Sequence, residues 1–128
     1  MIVDSSAIVE IIQGAELANS FAAALGSARA VMSAANYLEA GIVIDKARNA
    51  EASAGLDALL ETLEVEIVEV TPTQARLARQ AYRDFGKGSG HPAKLNFGDC
   101  FAYALAVERG EPLLFKGDDF THTGIARA

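Results

Sequence analysis

Cysteine is almost missing from this chain: Cys100 is the only one among 128 residues, so no internal disulfide can form and a reducing cytosol is the expected setting. Histidine is nearly as scarce, and His91 and His122 do not have the spacing of a zinc site. No apolar run approaches the ~18–20 residues needed to span a bilayer, so no membrane role is expected. The opening Met1-Ile2-Val3-Asp4 puts an acid where a secretory signal would carry Lys or Arg. Basic residues are in deficit, 11 against 17 acids for a net charge of −6, which argues against indiscriminate nucleic-acid binding. Hydrophobic residues make up 51% of the chain, enough for a packed core, and residues 1–128 are expected to form one domain.

The hydrophobic pattern alternates short strands with helices. A strand is predicted at Met1–Val3, followed by a helix through Ile8, Ile11 and Ile12 capped by Ser5 or Ser6, with Gly14 as breaker. A second helix covers Glu16–Leu25, a strand Arg29–Met32, and a long helix runs from Ala34 to about Arg48 behind a Ser33 cap. Glu51–Leu63 reads as a helix with Leu56, Leu59, Leu60 and Leu63 on one face, and Val65–Val70 as a strand. In the helix from about Thr73 to Phe85, opened by Pro72, Leu77, Ala78, Ala81, Tyr82 and Phe85 share one face, and Arg76, Arg79 and Arg83 another. A Gly-rich loop, a helix at Asp99–Arg109 closed by Gly110, a strand at Leu113–Phe115 and a turn at Lys116–Asp119 complete the chain. Such alternation predicts an α/β fold with a mostly parallel sheet.

The acids have plain readings one by one. Asp4 and Asp99 suit helix caps, Glu39 can sit at the edge of an apolar stripe and reach water, and Asp118 and Asp119 suit a surface turn. Together they suggest more. Asp4 and the Asp118-Asp119 pair follow strands and Asp99 opens a helix, so a parallel sheet can gather them at one edge. Carboxylates ~5 Å apart repel by ~3 kcal/mol per pair at an effective dielectric of ~20, so a cluster must protonate, spread or bind a cation. Hard oxygen donors with no histidine among them suit Mg²⁺ or Mn²⁺ and phosphate-ester chemistry. The lone Cys100 reads as core.

Basic charge is concentrated. From Thr71 to Gly98 five basic residues, Arg76, Arg79, Arg83, Lys87 and Lys94, face one acid, Asp84, whereas Glu51 to Glu69 holds six acids and no base. The arginines can be an ordinary solvated helix face, or with Lys87 a phosphate-contacting edge by which an acidic protein meets RNA. The Gly86-Lys87-Gly88-Ser89-Gly90 loop lacks the spacing of a P-loop.

Four segments in order, Ile2-Val3-Asp4-Ser5-Ser6-Ala7, Ser33-Ala34-Ala35-Asn36-Tyr37-Leu38-Glu39, Leu95-Asn96-Phe97-Gly98-Asp99-Cys100 and Leu113-Leu114-Phe115-Lys116-Gly117-Asp118-Asp119-Phe120, run the length of the chain and resemble the PIN-domain family, most closely its VapC toxins. The resemblance implies a PIN fold, with a central parallel sheet flanked by helices, and a Mg²⁺- or Mn²⁺-dependent endoribonuclease acting on structured RNA, with transfer RNA a frequent target. It carries acidic roles to Asp4, Glu39, Asp99 and one acid of the Asp118-Asp119 pair, with Asp118 favoured and Asp119 the alternative. Asp4 and Asp99 are implied as direct metal ligands. Glu39 and Asp118 would act directly or through water, and Ser6 would bond a carboxylate or a phosphate. A VapB antitoxin, a homodimer, a heterotetramer or larger assembly with the antitoxin, and a cytoplasmic location also follow from the resemblance. One departure is visible: Gly124 stands where close relatives often carry an acid.

Other acid-pocket proteins fit less well. A haloacid-dehalogenase-type phosphatase needs Asp-x-Asp after the first strand, where this chain has Asp4-Ser5-Ser6. A phospho-receiver needs an early acid pair and a mid-chain phosphoacceptor after a strand. A non-catalytic module with a vestigial site is disfavoured by acids at all the expected positions.

Overall fold

A computed structural model describes all residues, 1–128. Its strands are short and parallel: β1 (Ile2–Val3), β2 (Val31–Ser33), β3 (Glu66–Val68) and β4 (Leu113–Leu114) form one sheet in the order β3-β2-β1-β4. The register pairs Ile2 with Val31 and with Leu113, and Val31 with Glu66. Successive strand residues point to opposite faces. Ile2, Val31 and Leu113 therefore enter one core with Leu105, Phe115 and Phe120. Val3, Met32 and Leu114 enter the other with Ile8, Leu25, Ile44 and Leu60. Apolar residues on both faces require helices on both faces, as is usual for parallel sheets.

The helices meet that requirement. One core is covered by α1 (Ser5–Ile12), α2 (Ala18–Ser27), α3 (Ala34–Asp45) and α4 (Ala50–Thr62), and the other by α5 (Pro72–Phe85) and α6 (Phe97–Arg109). The chain passes from β1 outward to β2 and β3, then returns to place β4 on the other side of β1. That reversal makes the carboxyl ends of β1 and β4 a topological switch point, where open α/β sheets bind ligands.

Several element ends differ from the sequence reading, each for a local reason. The cap of α1 is Asp4, whose carboxylate accepts from the Ser6 backbone N–H; Ser5 and Ser6 are free for other bonds. α2 starts at Ala18, behind a turn in which the Leu17 N–H donates to the Glu10 carboxylate at 3.0 Å. α3 stops at Asp45, and Arg48 turns into the left-handed region at φ 52 before Asn49 caps α4. α6 starts at Phe97, because Asn96 rather than Asp99 takes the cap position. Tyr82, expected on the buried face of α5, is 48% exposed, with its hydroxyl donating to the Lys87 carbonyl at 3.2 Å. Gly110, φ 63, closes α6 as expected.

Phe120 anchors the turn that follows β4. Its ring is 1% exposed and packs edge-on against Phe115 at 4.9 Å. Phe120→Ala should lower stability by about 3–5 kcal/mol in urea denaturation, and Phe120→Leu by clearly less.

Candidate active site

Asp4 leaves β1 at the switch point and is 3% exposed. One carboxylate oxygen, Oδ2, is fully employed: it accepts from the Ser6 N–H at 2.9 Å and the Ser6 hydroxyl at 2.5 Å. The Ser6 hydroxyl oxygen in turn accepts from the Lys116 N–H at 3.0 Å, and the Asp4 N–H donates to the Leu114 carbonyl at 3.0 Å. These bonds tie the exits of β1 and β4 together. The other oxygen, Oδ1, is buried with no hydrogen-bond partner. Buried polar atoms normally have partners, so an orphaned carboxylate oxygen at a switch point has the character of a ligand.

Asp99 repeats the design. It occupies the third position of α6 in a capping box: its Oδ2 accepts from the Asn96 N–H at 2.9 Å while its own N–H donates to the Asn96 side chain at 2.9 Å. The cap role read from sequence is thus real, and it uses one oxygen only. Burial pushes the Asp99 carboxyl up to about 7; the Asn96 N–H opposes the rise, and the charges of Asp4, Asp119 and Glu39 add to it. Burial likewise raises Asp4, against its bonds from Ser6, and the Glu39 charge raises it further.

Glu39 arrives from α3. Its Oε1 accepts from the Ser5 hydroxyl and, at 3.3 Å, from the Asn36 amide, which also donates to the Gly98 carbonyl at 2.9 Å. Asn36 is fully buried and joins α3 to the start of α6. The Glu39 carboxylate lies directly over Gly98, where any Cβ would collide with Oε1, Oε2 and Cδ. Only glycine leaves that seat open. Ser5, Asn36, Asn96 and Gly98 were not singled out as site residues in the sequence. A signal existed for two of them: Asn36 is three residues before Glu39 on the same helical face, and Gly98 directly precedes Asp99.

The remaining candidates separate by place. Asp119 contributes charge at Asp99, and both Asp118 and Asp119 lie exposed in the turn after β4. Arg76, Arg79 and Arg83 lie exposed on α5, and Lys87 lies exposed in the following loop. Arg79 and Lys87 line a groove that reaches Phe97; Arg76 and Arg83 do not. Cys100 is buried in the core, and burial pushes its thiol up to about 11, so it is not a thiolate ligand. The three ion pairs of the chain, Met1 amino group–Glu111, Arg29–Glu66 and Lys116–Glu10, leave Asp4, Glu39, Asp99 and Asp119 without a cation. Lys116, the nearest base in sequence, is held by the buried Glu10 at 2.5 Å.

These donors suit a particular class of ion. No three of the acids close into a cage as they stand. Mg²⁺ rarely needs one, since it keeps several waters and binds through one or two carboxylates plus substrate phosphate oxygens. The buried, unpartnered Asp4 Oδ1, the raised Asp99 carboxyl and the lack of a neutralising lysine or arginine all fit a hard divalent cation at this end of the sheet.

The sequence model of the PIN domain matches residues 1–126. "VapC ribonuclease Mb0625" of Mycobacterium bovis is 57% identical over 129 aligned residues, covering 100% of this chain and 97% of the relative. "Ribonuclease VapC42" of Mycobacterium tuberculosis is 50% identical, covering 100% of this chain and 98% of the relative. The fold is similar to that of the crystal structure of Mycobacterium tuberculosis VapC20, described as a Sarcin-Ricin loop cleaving toxin, with TM-score 0.76 and 18% identity over 99% of this chain and 97% of that one.

The Asp99 shift has a measurable sign. An unfolded aspartate ionises near 3.8 and the native one near 7, so between these values the native state holds more protons. Stability contributed through Asp99 therefore falls as pH rises from about 4 to about 7 and levels off above that. Urea midpoints of metal-free protein across this range should decline relative to those of Asp99→Asn; parallel profiles would contradict the assignment.

Proposed function

The chain belongs to the PIN-domain family, and on that premise we propose that it is the ribonuclease toxin of a VapBC-type module, hydrolysing RNA phosphodiester bonds with the help of Mg²⁺ or Mn²⁺. The observation that carries this reading is the buried Asp4 Oδ1 without a partner, in a carboxylate that shares its field with Asp99 and Glu39, none of these acids or Asp119 being held in an ion pair.

The roles follow from which oxygens are already employed. Asp4 and Asp99 each spend Oδ2 on a helix start, so Oδ1 of each is the atom left to hold an ion. A bound divalent ion supplies Lewis-acid neutralisation of phosphate charge and acidifies water. Glu39 Oε1 is held by Ser5 and Asn36, so Oε2 is free to accept a hydrogen bond from the attacking water and orient it. Asp119 is preferred over Asp118 as the fourth acid, because its charge reaches Asp99. Ser6 acts as a positioning residue: it holds Asp4 and, through the Lys116 N–H, the turn that carries Asp119. Burial of Asp4 and Asp99 strengthens their interaction with a cation beyond its value in water.

A VapB-type antitoxin is the expected inhibitor, with a basic or aromatic segment entering the acidic cleft. A homodimer is the expected toxin assembly.

Asp4→Asn and Asp99→Asn should each remain folded by circular dichroism. Each should lose Mg²⁺- or Mn²⁺-dependent RNA cleavage by more than the ~10–100-fold that outer-shell changes cause. EDTA should do the same to the wild type. Cleavage retained in both variants would refute the reading. Gly98→Ala separates site from fold: alanine is the better helix former by up to about 1 kcal/mol, and the displaced group is the movable end of Glu39. Thermal stability should be kept while cleavage falls ~10–100-fold, matching Glu39→Gln.

A further inference from the structure

Phe97, the first residue of α6, is 79% exposed beside the carboxylates. With Glu39 and Gly98 it lines one hollow. On its other side opens a groove of about 650 Å³ whose lining includes Phe97, Phe101, Tyr82, Asn96, Arg79 and Lys87. That volume is within the ~300–1,000 Å³ typical of ligand pockets. The Phe97 and Phe101 rings meet edge to face at 4.9 Å and 86°, and the Tyr82 hydroxyl bond to the Lys87 carbonyl fixes the opposite wall. Asn96 stands between groove and cleft, since it also caps the helix that carries Asp99.

The groove is lined mostly by apolar and aromatic side chains, with two cations, Arg79 and Lys87, among them. The chain has a net charge of −6, yet neither Arg79 nor Lys87 pairs with a carboxylate; nor do Arg76 and Arg83 farther along α5. Exposed aromatic rings beside unneutralised cations suit a partner that is both aromatic and polyanionic. Single-stranded nucleic acid combines these, stacking bases on rings while its phosphates meet the cations. An apolar peptide would bury the rings and leave the cations uncompensated.

Resting on the reading of the cleft as an RNA hydrolase, we propose that this groove is a base-stacking subsite of the substrate. An unpaired base next to the scissile phosphate stacks on Phe97, between it and the Tyr82 wall, and Arg79 and Lys87 hold the adjoining phosphates. The subsite would make cleavage depend on an unpaired base beside the cut, so loops would be favoured over duplexes. Phe97 is then a specificity-determining residue that takes no part in the chemistry.

The test uses the full chain in EDTA, where no cleavage occurs, with a short single-stranded RNA carrying 2-aminopurine as the probe. Wild type should bind and quench the fluorophore by stacking. Phe97→Ala should lose the quench and weaken Kd by about tenfold or more, and Phe97→Trp should restore both where Phe97→Leu does not. The paired Arg79→Ala and Lys87→Ala changes should weaken binding and flatten its salt dependence while leaving the quench at saturation. With metal present, Phe97→Ala should raise KM about tenfold and leave kcat within about twofold. The subsite is overturned if wild type fails to bind the probe, if Phe97→Ala binds and quenches as wild type does, or if Phe97→Leu equals Phe97→Trp. It is also overturned if Phe97→Ala turns a dimer into a monomer by light scattering with RNA affinity unchanged, which would assign the groove to a second copy. If wild type cleaves no RNA with Mg²⁺ or Mn²⁺, or if Asp4→Asn and Asp99→Asn both still cleave, the reading of the cleft as the hydrolase site fails while the metal-free stacking data stand. If RNA is cleaved normally but no base stacks, the subsite fails alone.

Discussion

Mutual repulsion among carboxylates that the fold holds at one end of its sheet, with no lysine or arginine between them, is the constraint on which the rest of the site depends. Asp4 and Asp99 are almost fully buried, and both are raised by burial and by neighbouring acids. Like charges in a poorly solvated place oppose folding unless something external compensates them. Lys116, three residues before Asp119, is instead held by the buried Glu10, whose carboxyl is lowered first of all by the Lys116 bond. The protein thus uses its local cation to fix α1 to the turn after β4 and leaves the cleft anionic.

The same side chains build the scaffold and face the cleft. Asp4 starts α1 and Asp99 starts α6, each through one oxygen, and each keeps the other oxygen out of the cap. Glu39 is positioned from both sides, by Ser5 at the start of α1 and by Asn36, which also holds the start of α6. Gly98 completes this arrangement by having no side chain where the carboxylate lies. Positioning by helix starts is rigid, because each start is locked by backbone hydrogen bonds and by the core beneath it. Preorganised charge of this kind needs little rearrangement when a charged ligand arrives.

Charge on the surface is divided as sharply as charge in the cleft. The acids that outnumber the bases lie in the cleft and along residues 51–69, whereas α5 and its loop carry cations without partners. An overall charge of −6 therefore says little about what this face can meet. Phe97 marks the boundary between the two regions, touching the Glu39 hollow on one side and the Arg79–Lys87 groove on the other.

Much of this was legible in the residues themselves. The apolar runs at Met1–Val3 and Leu113–Phe115 read as strands, and their alternation with helices pointed to the parallel α/β sheet that the pairing of β1 with β4 bears out. Residue type and position after a strand marked Asp4 and the Asp118-Asp119 turn, and the order of four segments marked Glu39 and Asp99. Local competition was harder to read: whether Asp4 or a following serine capped α1, and whether Asn96 or Asp99 opened α6, depended on which side chain found the free N–H groups. The exposure of Tyr82, the seat of Glu39 over Gly98 and the meeting of Phe97 with Arg79 and Lys87 were decided by tertiary structure alone. Periodicity is a property of neighbours in the chain, so sequence determined the order of the elements and which acids were candidates for the site. Which oxygen is left without a partner depends on residues far apart in sequence, and only packing brings those together.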